Sequence, residues 1–252
     1  MFPNENGEQE VAVVSPAPEM WNGYSTTGFG LAIFMVFFAV QIGAVVLSGF
    51  GLDWFDPGID YGMAMAVGAA AGGVLCTPLI PLVLVLRGTP DVREFLGLRA
   101  VSAKEMLGWT GLSIILVYAG DFVTSYSGRP TVPDVIVHAY ETAIVVPLFW
   151  FAVVVAAPLF EEVFFRGFLF EGFRRSRLGS VGAAAVTTTA WTVIHLQYDA
   201  FELSLVFALG IFLSIARIVS RSLYVPFFLH AIMNLIATIQ TMLAATGGDG
   251  SV

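Results

Sequence analysis

Long apolar runs separated by short polar stretches make up most of this chain. Several of the runs exceed the roughly 18 residues that indicate a membrane-spanning helix. The pattern therefore predicts an all-α fold, a polytopic transmembrane helical bundle of seven to eight spans. The seven apolar segments lie at about residues 28–50, 63–86, 105–122, 143–175, 180–197, 201–216 and 222–245.

The fourth segment, residues 143–175, is too long for one straight crossing. At about 1.5 Å per residue it would extend roughly 50 Å, so we expect a kink, a tilt or a separate short helix. Pro147 and Pro158 are the natural places for a break, and an eighth crossing would lie here. Residues 90–104 predict a short interfacial helix on the cytoplasmic face.

The domain organisation follows from where the polar residues lie. Residues 1–26 are polar and predict a disordered tail, and residues 27–246 predict a single transmembrane helical domain. Only 12% of residues are charged, and the net charge of −8 argues against nucleic acid as a partner. The single cysteine, Cys76, lies in an apolar segment and predicts a buried, inert thiol.

Basic residues are distributed unevenly along the chain. Ten of the eleven fall in the regions after the second, fourth and sixth spans, and only Arg129 falls elsewhere. Since positive residues concentrate on the cytoplasmic side, we expect a cytoplasmic N-terminus in an integral membrane protein. The preference for arginine over lysine favours a prokaryotic plasma membrane.

A small set of strongly polar residues lies inside the apolar segments. Measured from the basic edge of each span at about 1.5 Å per residue, they reach a similar depth of roughly 12–22 Å. Burying such groups in hydrocarbon is costly, so convergence at one depth indicates a functional site. The residues are Glu161, Glu162, Arg166, His195, His230 and Asn234.

Each of these residues alone also has a structural explanation. A lone histidine often joins two helices by a hydrogen bond, and a Glu–Arg pair four residues apart is often an internal clip. Glu171 lies near the basic edge and is predicted to face Arg174 or Arg175. His138 and Asp121 lie away from the cluster and are predicted to be ordinary loop or span-end residues.

The cluster contains the groups that water-driven amide hydrolysis requires. A buried carboxylate and an imidazole, Glu161 and His195, could hold a water and take its proton. The Asn234 amide and an N–H of His230 suit the oxyanion that forms on the carbonyl. Arg166 would hold Glu162 in place as a supporting pair.

Three short motifs in this order carry a family resemblance. They are "EEVFFR" (161–166), "WTVIH" (191–195) and "HAIMN" (230–234). They resemble the Glu-Glu-x-x-x-Arg, Phe-x-x-x-His and His-x-x-x-Asn/Asp motifs of the CAAX protease and bacteriocin-processing family of intramembrane proteases. The motif region covers about residues 155–240, and Trp191 replaces the phenylalanine that this family usually has.

The resemblance implies a helical bundle of about eight spans with a cavity open to the membrane and the cytosol. It implies an endopeptidase that cuts near the C-terminus of a membrane-anchored, in some members prenylated, protein or peptide. Carried over by position, Glu161 and His195 would activate water. His230 and Asn234 would form the oxyanion hole, with Glu162 and Arg166 in support.

Three alternatives remain at this stage. Glu161, His195 and His230 could bind Zn²⁺, although the chain lacks an H-E-x-x-H helix and asparagine is a poor zinc ligand, so a cofactor-free mechanism is favoured. A proton-coupled transporter would also place such groups in mid-membrane, but we see no inverted repeat. A non-catalytic immunity or scaffold protein would keep the fold without the reaction.

Overall fold

The computed structural model describes residues 21–49 and 61–247, and all regular structure in these ranges is helical. The all-α prediction is therefore confirmed. Nine helices follow one another in the described ranges. They are α1 (Gly23–Ser48), α2 (Tyr61–Leu86), α3 (Val92–Leu96), α4 (Ala103–Tyr126), α5 (Asp134–Glu141), α6 (Val146–Arg174), α7 (Gly179–Val193), α8 (Ala200–Ser220) and α9 (Tyr224–Ala245).

Six of these helices, α1, α2, α4, α6, α8 and α9, are long and apolar enough to cross a membrane. The protein is therefore an integral membrane protein. Each of the seven predicted spans coincides with a helix, but α7 has only 15 residues. At about 1.5 Å per residue it extends roughly 22 Å, less than the thickness of a bilayer core. The described ranges thus hold six long apolar helices, and the predicted count of seven to eight spans is not confirmed.

The first helix begins earlier than the polar pattern predicts. Asn22 caps α1: its side chain accepts from the backbone N–H of Ser25, whose hydroxyl bonds the Asn22 N–H in return. Trp21 is 2% exposed and donates to the hydroxyl of Thr89. The ordered bundle thus begins inside the segment predicted as a tail, because a capping box and a buried tryptophan fix it there. Residues 1–20 lie outside the described residues.

The helix predicted at residues 90–104 is wrong in extent. Only the five residues of α3 are helical, because Gly97 follows in the left-handed conformation with φ +72° and ends the helix. Phe95 and Leu96 are buried at 1% and 3% exposure. The apolar side of α3 therefore packs into the protein, and α4 begins afresh after the cap Ser102.

The long fourth segment forms one helix, α6, with no separate short helix inside it. Pro147 lies in its first turn, where a missing N–H costs nothing. Two π-helical stretches, Ala152–Ala156 and Glu162–Leu169, flank Pro158 and interrupt the ordinary hydrogen-bond register. Of the spanning helices α6 has the most buried window, 44% against 6% for α4. The motif glutamates therefore lie on the central helix of the bundle.

Glycines on two sides of α2 hold that central helix in place. A Cβ on Gly72 would lie 2.8 Å from the Phe37 ring of α1, and one on Gly73 would lie 2.2 Å from the Ala156 carbonyl oxygen of α6. Only glycine allows such close approach. Phe37 also stacks on Phe160, with ring centroids 3.8 Å apart. These contacts fix the first π-helical stretch beside the site.

Candidate active site

Glu162 and Arg166 form a buried ion pair on α6. The Nη1 of Arg166 donates to Oε1 of Glu162 over 2.9 Å, and both side chains are fully buried. The four-residue spacing predicts this contact. The guanidinium also lies over the ring of Trp191, 4.4 Å from its centroid. A cation on an aromatic face is partly compensated there for the water that it has lost.

His230 connects this ion pair to Glu161. Its Nδ1 lies 2.8 Å from the Glu162 oxygen that Arg166 binds, and since a carboxylate oxygen accepts, Nδ1–H donates. Its Nε2 lies 4.0 Å from Oε2 of Glu161. With the proton on Nδ1, Nε2 is an acceptor in the neutral ring and a donor only in the imidazolium.

Asn234 is held by a carbonyl that the helix leaves free. The N–H of Ala157 bonds the carbonyl of Ala152, five residues back, and Pro158 has no N–H. Neither the fourth nor the fifth residue after Val153 therefore donates to its carbonyl. Nδ2 of Asn234 donates to that oxygen over 2.8 Å. The π-helical stretch and the proline thus explain where Asn234 docks.

Trp191 lies at the centre of the cluster. Its Nε1–H donates to Oε2 of Glu161 over 2.5 Å. Its ring lies edge-on to His195 and to His230, with centroids 4.8 and 5.4 Å away. Sequence reasoning treated Trp191 only as a packing substitution. The signal for more was present, because a buried indole N–H usually finds an acceptor and the nearby motif offers carboxylates.

His195 lies just beyond the end of α7. Its Nδ1 is 2.8 Å from the Trp191 carbonyl oxygen, which only accepts, so Nδ1 carries the proton and Nε2 of the neutral ring is an acceptor. Among the described residues, no carboxylate oxygen lies within 4.0 Å of a His195 nitrogen. The structure links His195 to Glu161 through Trp191 and not directly.

A cavity of about 680 Å³ brings these side chains to one surface. Cavities of several hundred cubic ångströms are typical of ligand sites. Asp121, predicted to be an ordinary span-end residue, also lines this cavity and accepts a 2.7 Å hydrogen bond from Gln240. The motif residues on its wall are Glu161, His195, His230 and Asn234.

Tyr198 adds a hydroxyl to the same wall. Burial, with the nearby Glu202 carboxylate, raises the pKa of Tyr198 to about 12. Its ring is stacked on His195 with centroids 6.2 Å apart. The hydroxyl therefore keeps its proton at physiological pH.

Glu171 and His138, two polar residues predicted to lie apart from the cluster, make contacts of their own. Glu171 accepts from Arg174 at 2.7 and 2.8 Å and from Arg175 at 2.8 Å, as predicted. His138 stacks on Tyr61 with ring centroids 6.0 Å apart.

The zinc alternative needs three ligands on one ion. The described residues contain no group of three histidine, cysteine, aspartate or glutamate side chains arranged to hold a metal ion. Glu161 and His230 approach to 4.0 Å, and the bond from Nδ1 of His195 to the Trp191 carbonyl leaves Nε2 of that ring free to bind a metal. The cofactor-free mechanism therefore stays a prediction.

Comparison with known proteins is consistent with this geometry. The chain is 27% identical over 155 residues to the membrane-embedded CAAX protease MroQ of Staphylococcus aureus, covering 56% of this chain and 60% of MroQ. It is 26% identical over 212 residues to an uncharacterized 24.3 kDa protein of Escherichia coli, covering 76% of this chain and 91% of that protein. No solved structure matches.

A family model localises the similarity further. Residues 143–236 match the model of the type II CAAX prenyl endopeptidase Rce1-like family. This range contains all three motifs and runs from the start of α6 into α9. The resemblance to CAAX proteases that the motifs predict is thus confirmed, and it resides in the Rce1-like segment 143–236.

Proposed function

We propose that this protein is an intramembrane endopeptidase. It hydrolyses a peptide bond near the C-terminus of a membrane-anchored protein or peptide, including prenylated CAAX-type chains. One observation carries the proposal: Glu161 and His230 approach to 4.0 Å on the wall of a cavity of about 680 Å³ that His195 and Asn234 also line. The match to the Rce1-like family model supports the reaction class.

Glu161 is the general base of the proposed mechanism. Its side chain is 14% exposed and lines the cavity, so a water bound there contacts the carboxylate directly. The Trp191 N–H fixes one carboxylate oxygen and leaves the other for the water. The carboxylate takes the proton as the water oxygen attacks the substrate carbonyl.

His195 assists from a different part of the cavity wall. Its Nδ1–H is held by the Trp191 carbonyl, so its Nε2 accepts a proton or a hydrogen bond. The proton that Glu161 has taken passes to the leaving amine, and the C–N bond breaks. The imidazole of His195 orients the attacking water and accepts its second hydrogen bond.

The oxyanion is stabilised by His230 and Asn234. In the proposed role the ring of His230 donates through both nitrogens, with Nδ1–H bonded to the Glu162 carboxylate and Nε2–H directed at the oxyanion. One hydrogen of the Asn234 amide bonds Val153 and the other is available to the substrate. Arg166 holds Glu162 in place. Two preoriented donors in a poorly hydrated site stabilise developing negative charge strongly.

The substrate arrives from the lipid bilayer. The cavity is lined mainly by apolar side chains from several helices, which suits a peptide attached to a membrane anchor. We place the protein in a prokaryotic plasma membrane with its N-terminus and active site toward the cytoplasm, because the basic residues concentrate at that end.

The decisive test is the reaction itself. Purified wild-type protein is compared with Glu161→Gln on a library of membrane-anchored peptides, with the exposed Glu141→Gln as a matched control. We expect cleavage by the wild type and the control and a loss of at least about a hundredfold in Glu161→Gln, the size of effect that a positioned general base supplies. Equal cleavage by all three proteins would disprove the mechanism.

The same preparation tests the alternatives. Cleavage that survives strong Zn²⁺ chelation, with no metal recovered from the purified protein, supports the cofactor-free mechanism. Loss on chelation and recovery on adding zinc would contradict it. Ion-dependent uptake into vesicles without cleavage would favour a transporter. Peptide binding that never leads to cleavage would favour a scaffold.

A further inference from the structure

A second cavity, of about 660 Å³, lies at the end of the bundle where α6 and α8 finish. Its wall is formed by α3 with the residues after it, the end of α6, the start of α7 and the end of α8. We refer to it as the basic pocket. Six arginines and two glutamates line it, an excess of four positive charges. The arginines are Arg93, Arg99, Arg174, Arg175, Arg217 and Arg221.

The charges in the basic pocket are not balanced by the protein. Of its two carboxylates, Glu171 is already engaged by Arg174 and Arg175. Glu94 is exposed and its carboxylate lies within 4.0 Å of no cation among the described residues. Four of the six arginines likewise have no carboxylate oxygen within 4.0 Å in the described ranges. They are Arg93, Arg99, Arg217 and Arg221.

Arg217 lies deepest in the pocket, at 5% exposure. Its Nε donates to the Arg166 carbonyl over 3.1 Å and its Nη2 to the Leu96 carbonyl over 3.5 Å. Its Nη1 has no hydrogen-bond partner among the described residues, and the side chain lines the cavity. Among the described residues no carboxylate oxygen lies within 4.0 Å of this nearly buried guanidinium, an arrangement that favours an anion beside it.

The backbone around the pocket is shaped to admit these side chains. A Cβ on Gly97 would lie 2.4 Å from Nη2 of Arg217, so glycine is needed there. Arg221 is the one non-glycine residue with positive φ (54°) in the described ranges. It ends α8, a position where glycine is preferred. The strained arginine adds a charge at the rim that glycine would not provide.

We propose that the basic pocket binds a phosphate group, from the headgroup of an anionic phospholipid or from free phosphate. Arginine forks match phosphate oxygens, and several arginines around one pocket supply donors from different directions. Basic pockets between the ends of membrane helices lie at the depth of lipid headgroups. The site is separate from the cavity that holds the motif residues and does not depend on the proposed protease activity.

Binding is measured on the full-length protein in nanodiscs of neutral phosphatidylcholine. Inorganic phosphate is titrated at constant ionic strength, with acetate as the comparison anion. In a parallel experiment both lipids are supplied to the protein, and native mass spectrometry compares how much phosphatidylglycerol and how much phosphatidylcholine stay bound. Phosphate binding with no lipid retention identifies the free ion, whereas selective phosphatidylglycerol retention identifies the lipid. Either result supports the phosphate site.

Three variants locate the binding. Arg99→Gln and Arg221→Gly each remove an exposed guanidinium, and the glycine also suits the backbone at 221, so both proteins should fold. Lys104→Gln removes an exposed charge that does not line the pocket. We expect each pocket variant to weaken binding about tenfold, the loss of one charge-assisted contact, and Lys104→Gln to change it less than about twofold.

Three outcomes would overturn the proposal. The first is equal weakening by Lys104→Gln, which would show diffuse attraction by surface charge. The second is equal retention of phosphatidylcholine and phosphatidylglycerol with no binding of inorganic phosphate. The third is binding of acetate or of an acidic peptide as tightly as phosphate, which would make the pocket a carboxylate site.

Discussion

Two buried arginines, Arg166 beside the motif residues and Arg217 in the basic pocket, differ in how their charge is compensated inside the bundle. Arg166 and Arg217 are 0% and 5% exposed. Arg166 is neutralised by Glu162 on its own helix and covered by the Trp191 ring. Arg217 is held by backbone carbonyls, one of them the carbonyl of Arg166. The first charge is balanced within the chain, and the second is not.

The difference indicates two kinds of site. An internal ion pair holds both side chains in fixed positions. Fixed positions suit catalysis, because groups that are already oriented stabilise the charge that develops in the transition state. An unbalanced guanidinium in an arginine-lined pocket instead favours whatever anion reaches it. The two sites share the backbone of Arg166, so the central helix α6 carries both.

Loss of the Arg166 charge should have the largest effect. In Arg166→Gln, Glu162 remains buried without its arginine and keeps only the hydrogen bond from His230, and we expect a loss of about 3–5 kcal/mol in the free energy of unfolding. Unfolding in mixed micelles with increasing dodecyl sulfate measures it. The double variant Glu162→Gln/Arg166→Gln removes both charges and should lose less. A double variant that loses the sum of the two single effects would show that the pair is not coupled.

Loss of the Arg217 charge should cost less. Arg217→Gln breaks hydrogen bonds to carbonyls but leaves no buried carboxylate without a partner. We therefore expect a loss of about 1–2 kcal/mol in the free energy of unfolding by the same measurement. Arg177→Gln, an exposed arginine at the same end, is the matched control and should be neutral. An effect of Arg217→Gln as large as that of Arg166→Gln would remove the distinction between the two arginines.

Trp191→Phe tests the site around the Glu162–Arg166 pair through the rate of peptide cleavage. The phenylalanine keeps a ring beside Arg166 but loses the N–H that bonds Glu161. We expect the cleavage rate to fall about fivefold to tenfold, equivalent to about 1 kcal/mol, with the fold unchanged. Trp109→Phe removes an indole N–H from α4, away from the cavity, and should not change the cleavage rate. An unchanged rate in Trp191→Phe would mean that the indole N–H only fills space.

The smallest effect is expected for an exposed arginine. Arg129 pairs with Asp199, and both side chains are about half exposed. The Glu202 backbone N–H and the Arg129 guanidinium lower the pKa of Asp199. Its contribution is therefore present at neutral pH and is lost as the pH falls below 3.8, the ordinary value, toward the lowered one. Arg129→Gln should leave the unfolding midpoint at pH 7 within error, as screened surface pairs usually do. A shift as large as that of Arg217→Gln would contradict this ranking.

The helices were largely predictable because hydrophobic length is a local property. All seven apolar segments are helices, and the i, i+4 contact of Glu162 with Arg166 follows from helix geometry. The break expected in the fourth segment is instead two π-helical stretches. The first of them packs closely against α2 at Gly73, a contact that an argument from one segment does not contain.

The candidate site was predictable in its members but not in its connections. Depth from the basic edge placed the motif residues on one level, and the structure brings Glu161, Glu162, Arg166 and His230 into contact distance. Glu161 and His195 were expected to share a water, and this stays a prediction; among the described residues no carboxylate oxygen lies within 4.0 Å of a His195 nitrogen. His195 lies past the end of α7 and turns to the Trp191 carbonyl. Where a chain leaves a helix is a matter of local turn geometry, which spacing alone does not determine.

The amino-acid sequence by itself determined that this chain crosses a membrane as helices and that six polar residues gather within them, because hydrophobic length and the cost of burying charge act residue by residue. The tertiary structure alone decided which of those residues bond each other. It also decided that Trp191 joins the site, that Val153 anchors Asn234 and that six arginines and only two glutamates line the basic pocket. These outcomes depend on distances between helices far apart in the chain, and packing fixes those distances.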